Sequence, residues 1–145
     1  MGIHPFDAVG GRQGRVMIVD DEEEVRKPLR LNLTKAGYDV VEAYDGEHAI
    51  KTLNSDDNPL MVDTILCDIR MPKVDGTEAI AYFRTQYPNV PVVVLTGYPD
   101  LDLAVSLIKQ GVLDYLVKPV SKEELLTVIS KSVNNHVILD GPFTA

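Results

Sequence analysis

Several side chains that could take part in chemistry occur where short apolar segments end. Each directly follows or ends such a segment: Asp20 and Asp21 after 16–19, Asp68 after 65–67, Thr96 after 92–95, and Lys118 after 115–117. In an open parallel α/β sheet the carboxyl ends of the strands meet at one edge, and ligands bind there. We therefore expect these carboxylates, the hydroxyl and the ammonium to lie close together.

The residue types at these positions favour phosphoryl-transfer chemistry. Three carboxylates at one edge repel each other and raise their own pKa values, and a bound cation relieves the repulsion. Carboxylate ligands without a nearby histidine favour a hard ion such as Mg²⁺. Lys118 is a point charge that can hold a phosphoryl oxygen, and Thr96 offers a hydroxyl donor. Asp68 can then act as a nucleophile toward phosphorus, while the metal and Lys118 absorb the developing charge.

Each of these signals has a simpler interpretation when it is taken alone. An Asp-Asp pair before a helix is typical of an N-cap, and an aspartate before a turn is typical of a turn former. Thr96 before Gly97 is ordinary turn chemistry, and Lys118-Pro119 is typical of an exposed loop. Their joint occurrence at successive strand ends favours the functional interpretation.

Composition limits the class of protein. The chain has 145 residues, 45% of them hydrophobic, and a net charge of −8, so it is long enough for one domain with a real core. The negative charge disfavours direct nucleic-acid binding. A single cysteine, Cys67, excludes an internal disulfide. No apolar run reaches the length of a membrane span, and no signal pattern begins the chain, so we expect a cytoplasmic protein without membrane contact.

Strand and helix patterns alternate five times between short terminal tails. We expect a flexible N-terminal tail over 1–14, one domain over 15–135, and a C-terminal tail or linker start over 136–145. The predicted strands are 16–19, 38–43, 61–67, 91–95 and 114–117, and the predicted helices are 22–36, 46–54, 76–87, 101–110 and 122–134. Pro28 should kink the first helix. This order predicts a five-stranded parallel sheet, doubly wound, with helices on both faces.

The chain resembles the receiver domain of bacterial two-component response regulators over about residues 15–134. The matching segments are the acid pair 20–21, Cys67 to Pro72 with Asp75-Gly76, Leu95-Thr96-Gly97, and Asp114 to Pro119. The resemblance implies the (βα)5 flavodoxin-like receiver fold. It also implies a phosphorylatable signalling switch rather than a turnover enzyme, one that takes part in its own phosphorylation and dephosphorylation.

The resemblance implies a role for each matching residue. Asp68 would accept a phosphoryl group from a sensor histidine kinase or a phosphotransfer protein. Asp21, Asp68 and the backbone carbonyl of Arg70 would bind Mg²⁺, and Asp20 would act through water. Lys118 would contact a phosphoryl oxygen. The remaining implied roles concern the switch and the backbone: Thr96 and Tyr115 would change position, and the Lys118-Pro119 bond would be cis.

Two further sets of residues are expected to adjust this activity. Arg70 and Tyr98 lie two residues beyond Asp68 and Thr96, and their bulk should slow hydrolysis of the acyl phosphate. In the fourth predicted helix, a stripe of Leu101, Ala104, Val105 and Ile108 is expected to face the core. Leu103 and Leu107 are then expected on a partner face, formed with the fifth strand and the fifth helix, that supports a phosphorylation-dependent homodimer.

Other functions and arrangements remain open at this point. A magnesium-dependent phosphatase of the haloacid dehalogenase type would need a second acid two residues after the nucleophile, where this chain has Arg70. A phosphorylation-independent interaction module would not need Asp68, Thr96 and Lys118. The segment 95–105 is similar to receivers that precede transcriptional ATPase domains, so the chain is either a stand-alone receiver or the front part of a longer regulator.

Overall fold

A five-stranded parallel sheet forms the centre of the molecule. The computed structural model describes residues 13–70 and 76–139, with side chains described as far as residue 136. The strands are β1 (Arg15–Val19), β2 (Asp39–Ala43), β3 (Val62–Asp68), β4 (Val92–Thr96) and β5 (Asp114–Val117). Their order across the sheet is β2-β1-β3-β4-β5, and each neighbouring pair is parallel. The predicted five-stranded, doubly wound fold is confirmed.

Helices cover both faces of this sheet, as the apolar strands require. They are α1 (Glu23–Lys35), α2 (Gly46–Leu53), α3 (Asn58–Met61), α4 (Gly76–Gln86), α5 (Leu101–Lys109) and α6 (Lys122–Leu139). One buried cluster centres on Met17, Ile65 and Phe83, and the other on Ile18, Leu33 and Ile129. Since neighbouring strand residues point to opposite faces, β1 and β3 contribute to both clusters.

The direction in which successive strands are added to the sheet reverses at β1, although all strands stay parallel. The connection after β1 leads outward to β2, whereas β3 lies on the other side of β1. In open α/β sheets a crevice forms at this reversal, beyond the carboxyl ends of the strands. Residues 20, 21 and 68 follow or end these two strands, so the topology itself brings them to one crevice.

Helix ends agree with most of the predicted boundaries. The Asp100 carboxylate accepts a hydrogen bond of 3.1 Å from the Leu103 amide and begins α5, as predicted. The Ser121 hydroxyl likewise accepts a bond of 3.0 Å from the Glu124 amide at the start of α6. The α1 assignment continues through Pro28.

Two segments differ from the prediction. Residues 58–61 form the short helix α3, where a polar turn and the start of a strand were expected. Helix α6 runs to Leu139, five residues beyond its predicted end at Asn134. His136, which was assigned to the C-terminal tail, is buried, and its Nδ1 lies 2.9 Å from the Asp63 carboxylate. This contact with β3 accounts for the extension of α6. The short helix α3 has its own cause: it begins with an Asn-Pro pair, and proline is favoured in a first helical turn.

The predicted orientation of the fourth helix, α5, was wrong. Leu107 is 1% exposed and belongs to the core, and Leu103 packs partly buried against the same cluster. Three of the four residues expected in the core are instead at the surface: Leu101 is 79%, Val105 45% and Ile108 48% exposed, whereas the fourth, Ala104, is partly buried. Both sides of this helix are apolar, so helical periodicity alone could not decide which side faces the sheet. The exposed apolar face of α5 therefore consists of Leu101, Val105 and Ile108, not Leu103 and Leu107.

Among residues 13–70 and 76–139, no helix is long and apolar enough to cross a membrane.

Candidate functional site

Three carboxylates meet at the crevice between β1 and β3. Each of Asp20, Asp21 and Asp68 has a carboxylate oxygen within 4.8 Å of the others. Asp20 is fully buried, Asp68 is 4% exposed, and Asp21 is exposed. The exposed member opens the cluster to solvent, whereas the two buried members are held in place by their surroundings. The predicted acidic cluster is therefore confirmed as a geometric unit.

The Lys118 ammonium lies between the two buried carboxylates. Its Nζ is 2.8 Å from Oδ2 of Asp20 and 3.3 Å from Oδ2 of Asp68. Burial opposes the charged amine, but its close ion pairs with the carboxylates of Asp20 and Asp68 raise the pKa of Lys118 overall. The ammonium therefore stays charged at neutral pH, beside the atom that the sequence singles out as a nucleophile. The Lys118-Pro119 peptide bond is cis, as predicted.

The surroundings of Asp68 disfavour ionisation of its carboxyl group. Burial is the main cause of the raised pKa of Asp68, and the charge of Asp20 adds to it. A bond of 3.2 Å from the Arg70 amide to Oδ1, together with Lys118, works in the opposite direction. The charged carboxylate is thus only partly compensated by the protein, which favours a cationic ligand at this position.

Asp20 retains an oxygen without a directed donor. Its Oδ1 accepts a bond of 2.9 Å from the Glu22 amide. Its Oδ2 is buried and has no aligned hydrogen-bond donor, although the Lys118 ammonium is close enough for an ion pair. A hard divalent cation with its shell of water would add a directed partner beside the ammonium, because carboxylate oxygens are the ligands that Mg²⁺ accepts. The residues present therefore fit a magnesium ion.

Thr96 ends the neighbouring strand, with its side chain buried. Its Oγ1 accepts a bond of 3.0 Å from the Tyr98 amide. Asp68 pairs with Leu95 across β3 and β4, so the threonine lies one residue beyond the register of the carboxylate. A methyl group built on Gly97 would meet only the Lys118 Cδ, at 3.8 Å, which leaves the approach to the site open.

Tyr115 connects the site edge to the start of α5. The tyrosine is partly buried against the core, and its hydroxyl accepts a bond of 3.1 Å from the Asp100 amide. Asp100 is also the N-cap of α5. The sequence predicted a role for Tyr115, but it carried no sign of this contact, since the bond uses a backbone donor.

Gly76 packs directly behind Asp68. A methyl group built on it would lie 2.2 Å from the Ile69 Cα and 2.4 Å from the Asp68 carbonyl oxygen. The Gly76 amide also donates a bond of 3.2 Å to the Ile69 carbonyl. The predicted turn at Met71-Pro72 and the motif residue Asp75 lie outside the described residues. Sequence reasoning missed the need for glycine at position 76, because the crowding comes from backbone atoms of another segment.

Cys67 precedes Asp68 and points into the core. It is fully buried, and burial, with the neighbouring carboxylates, raises the pKa of its thiol. The thiolate that reacts with alkylating reagents is therefore disfavoured. We expect iodoacetamide to leave the folded protein unmodified at pH 8 under conditions that fully label it in denaturant, as mass spectrometry would show. Rapid labelling of the native protein would contradict this inert role.

The comparisons with known proteins agree with this geometry. Residues 16–130 match the family model of the response regulator receiver domain. The DNA-binding transcriptional regulator NtrC of Proteus hauseri is 37% identical over 128 residues, which cover 86% of this chain and 26% of that protein. The transcriptional regulatory protein ZraR of Klebsiella oxytoca is 32% identical over 136 residues, covering 94% and 30%. The chain thus spans less than a third of the length of these relatives.

Solved structures show the same fold. A CheY-like receiver domain protein from Methanospirillum hungatei JF-1 aligns with a TM-score of 0.80 at 25% identity, covering 88% of this chain and 98% of that one. The signal receiver domain of an HD domain-containing protein from Pseudomonas fluorescens Pf-5 gives 0.78 at 29% identity, covering 86% and 98%. With the motif residues assembled at one sheet edge, this chain belongs to the response regulator receiver domain family, the signalling domain of two-component systems.

Proposed function

We propose that Asp68 accepts a phosphoryl group from the phosphohistidine of a sensor kinase or a phosphotransfer protein. A carboxylate oxygen of Asp68 forms the new bond to phosphorus while the bond to the imidazole nitrogen breaks, and the imidazole leaves. The observation that carries the proposal is the Lys118 ammonium, held 3.3 Å from Oδ2 of Asp68 by its closer contact with Asp20. The ammonium is thus already in place to hold a phosphoryl oxygen, which avoids reorganisation during transfer.

The acidic cluster would hold the magnesium ion. Asp21, Asp68 and the backbone carbonyl of Arg70 would bind it directly, and Asp20 would do so through water. When bound, Mg²⁺ neutralises charge on the phosphoryl oxygens. The buried position of Asp20 and its contact with Lys118 support the indirect role, because the ammonium already occupies one side of that carboxylate.

The signal would leave the site through Thr96 and Tyr115. The Thr96 hydroxyl would donate a hydrogen bond to a phosphoryl oxygen. In the structure this hydroxyl accepts a bond from the Tyr98 amide, and a turn of the side chain toward the phosphoryl group would break that bond. Space vacated by the threonine would admit Tyr115, whose hydroxyl would then release the Asp100 amide at the N-cap of α5. A local change of charge would thereby alter the start of one surface helix.

The output surface is the exposed apolar face of α5, together with β5 and α6. Leu101, Val105 and Ile108 lie on it, and Val117 of β5 is also 41% exposed. We expect the triple change of Leu101, Val105 and Ile108 to serine to weaken phosphorylation-dependent self-association about tenfold or more, because three apolar side chains lose their burial. Sedimentation of the beryllofluoride-treated protein measures this.

A matched control for this surface is available elsewhere on the molecule. Leu60 of α3 is 86% exposed and lies outside the α5 face. Leu60→Ser should leave association unchanged. Equal association of the triple variant and the parent chain would contradict the proposed role of the α5 face as the output surface.

An apolar groove beside Lys118 supports docking of a large phosphodonor. It has a volume of about 420 Å³ and is lined by α1 and by the segment after β5. Val25, Pro28 and Leu29 form one wall, and Pro119 and Val120 contribute to the other. A helical partner could bury apolar side chains there while its histidine reaches Asp68.

The lifetime of the phosphorylated form is proposed to be intermediate to long. Arg70 and Tyr98 are both exposed and bulky, and their backbone amides donate to the Asp68 carboxylate and the Thr96 hydroxyl, which places them beside the site. We expect the phosphorylated protein to persist for minutes or longer in Mg²⁺ without a phosphatase, as loss of label over time would measure. Complete hydrolysis within seconds would contradict the proposed shielding.

Two competing functions are separated by one treatment. Incubation with acetyl phosphate and Mg²⁺ should modify the chain stoichiometrically, and Asp68→Asn should lose the modification. Continuous release of phosphate at a catalytic rate would favour the phosphatase, although Arg70 occupies the position at which that class needs an acid. No modification of the wild-type chain would favour an interaction module.

A further inference from the structure

An arginine of α1 reaches the loop that carries two members of the acidic cluster. The Nη1 of Arg26 donates a bond of 2.7 Å to the backbone carbonyl of Asp20. That carbonyl belongs to the peptide unit that joins Asp20 to Asp21, and a peptide unit is planar, with both flanking Cα atoms in its plane. A bond that fixes the orientation of this plane therefore affects the direction in which both carboxylates leave the backbone.

The Arg26 side chain is itself held by acceptors on two other elements. Its Nε donates to the Glu42 carboxylate of β2 at 3.0 Å, and its Nη2 donates to the Glu23 carboxylate of α1 at 2.8 Å. The guanidinium thus uses three nitrogens on three separate acceptors, which suits the planar fork of arginine and not a single ammonium. The side chain is 14% exposed, so these bonds are largely shielded from water. The Asp20 carbonyl is consequently tied to both α1 and β2.

The backbone on either side of Asp21 is fixed by further bonds. The Asp20 amide donates to the Ala43 carbonyl at 3.1 Å, and the Asp20 carboxylate accepts from the Glu22 amide at 2.9 Å. Asp21 lies between these units and is exposed. Its carboxylate is therefore placed by the backbone rather than by burial, and the Arg26 bond to the preceding peptide unit is one of the contacts that hold this backbone.

We propose that Arg26 is a positioning residue of the metal site, which sets the affinity for Mg²⁺ by holding the peptide unit between Asp20 and Asp21. This inference rests on the proposed binding of Mg²⁺ and deepens it, because it assigns to that site a residue outside the acidic cluster. The Glu23 and Glu42 carboxylates offset the charge of the guanidinium. The arginine therefore supports the loop without placing an uncompensated positive charge beside the cation.

Removal of the arginine separates positioning from charge, because the two predict opposite results. Arg26→Met keeps much of the length and removes every donor. It should weaken Mg²⁺ binding about tenfold, as for other groups that orient metal ligands from outside the coordination shell. Loss of a positive charge alone would instead strengthen binding, since the metal ion would meet less repulsion.

Arg30→Met is the matched control. Arg30 lies one turn further along α1 and also pairs with the Glu42 carboxylate, at 2.9 Å, and with Glu23, at 3.7 Å. These contacts involve carboxylates and not the loop carbonyl. The control removes the same charge from the same ion-pair network, so it should bind Mg²⁺ at least as tightly as the wild type.

The affinity is measured on the full chain by titration with MgCl₂, followed through the amide signals of Asp21 and Glu22 in NMR spectra. Urea unfolding in EDTA shows in parallel that each variant is folded. A merely structural role would lower the stability of Arg26→Met in EDTA without changing the affinity of the folded protein. Arg26→Lys keeps the charge on a single nitrogen, so it should also lose affinity. It carries the same test if the methionine variant does not fold.

Three results would overturn the positioning role while leaving the magnesium site intact. They are wild-type affinity in folded Arg26→Met, full affinity in Arg26→Lys, and an equal loss in Arg30→Met. A wild-type chain that does not bind Mg²⁺ would overturn both this inference and the proposed metal site.

Discussion

Asp68→Asn should abolish phosphorylation and, at the same time, stabilise the metal-free protein. The amide cannot form the acyl phosphate, so labelling by acetyl phosphate should fall to background. Stability should rise because the wild-type carboxylate is buried beside Asp20 and its pKa is raised by that burial and charge. Asparagine keeps the shape of the side chain without the charge. Loss of label is measured by intact mass, and stability by urea unfolding in EDTA.

The pH dependence of this gain has a definite sign. A carboxyl group whose pKa is higher in the folded than in the unfolded protein destabilises the fold above that pKa, and the penalty disappears as protons bind at lower pH. The advantage of Asp68→Asn should therefore be largest at neutral pH and shrink as the pH falls through the raised pKa of Asp68. Asp102→Asn, at an exposed position of α5, should keep full labelling. An asparagine variant that is still labelled, or less stable without metal, would contradict this view of the site.

Gly76→Ala should destabilise the protein more than any other addition of a single methyl group near the site. Alanine normally improves a helix over glycine, and Gly76 begins α4. Here the added carbon would lie 2.2 Å from the Ile69 Cα and 2.4 Å from the Asp68 carbonyl oxygen, both backbone atoms that cannot rotate away. Either α4 or the end of β3 must shift. We expect a loss of about 2–3 kcal/mol in the free energy of unfolding, as for overpacked cores, with weakened Mg²⁺ binding.

Gly97→Ala provides the matched comparison for this substitution. Its new methyl group would meet only the Lys118 Cδ, at 3.8 Å, which is an ordinary contact distance. Its free energy of unfolding should stay within about 0.5 kcal/mol of the parent chain, as for most uncrowded surface changes. Urea unfolding of both variants measures the difference. Equal stability of the two would show that the backbone behind Asp68 is not tightly packed.

The strand ends were predictable because their pattern is short and unambiguous. Val16–Val19 and Val92–Leu95 are apolar without interruption, and each is followed by a polar group at the point where a buried strand must end. Parallel topology then brings those groups together without further information. The assembly of Asp20, Asp68 and Lys118 follows from this rule and needed no knowledge of individual contacts.

The orientation of α5 was not predictable for a physical reason. Leu103 and Leu107 form one apolar stripe, while Leu101, Val105 and Ile108 form another, and each could cover the sheet. Only tertiary packing decides that Leu107 is buried and Leu101 is 79% exposed. A helix that is apolar on both sides carries the same periodicity whichever side is inward.

Contacts that depend on backbone geometry also escaped sequence reasoning. The approach of Gly76 to Ile69 and the bond from the Asp100 amide to Tyr115 involve main-chain atoms that every residue has. The burial of His136 against Asp63 joins residues 73 positions apart. Such pairings have no local signature, and periodicity could not extend α6 beyond Asn134.

The most direct test is to locate the phosphoryl group itself. The chain is incubated with acetyl phosphate in Mg²⁺ or in EDTA, its intact mass is measured, and the acyl phosphate is trapped by borohydride reduction before peptide mapping. We predict one phosphoryl group per chain, dependent on Mg²⁺, with the reduced residue at position 68. A phosphoryl group on any other residue, uptake that persists in EDTA, or no uptake by the folded wild-type chain would contradict the account.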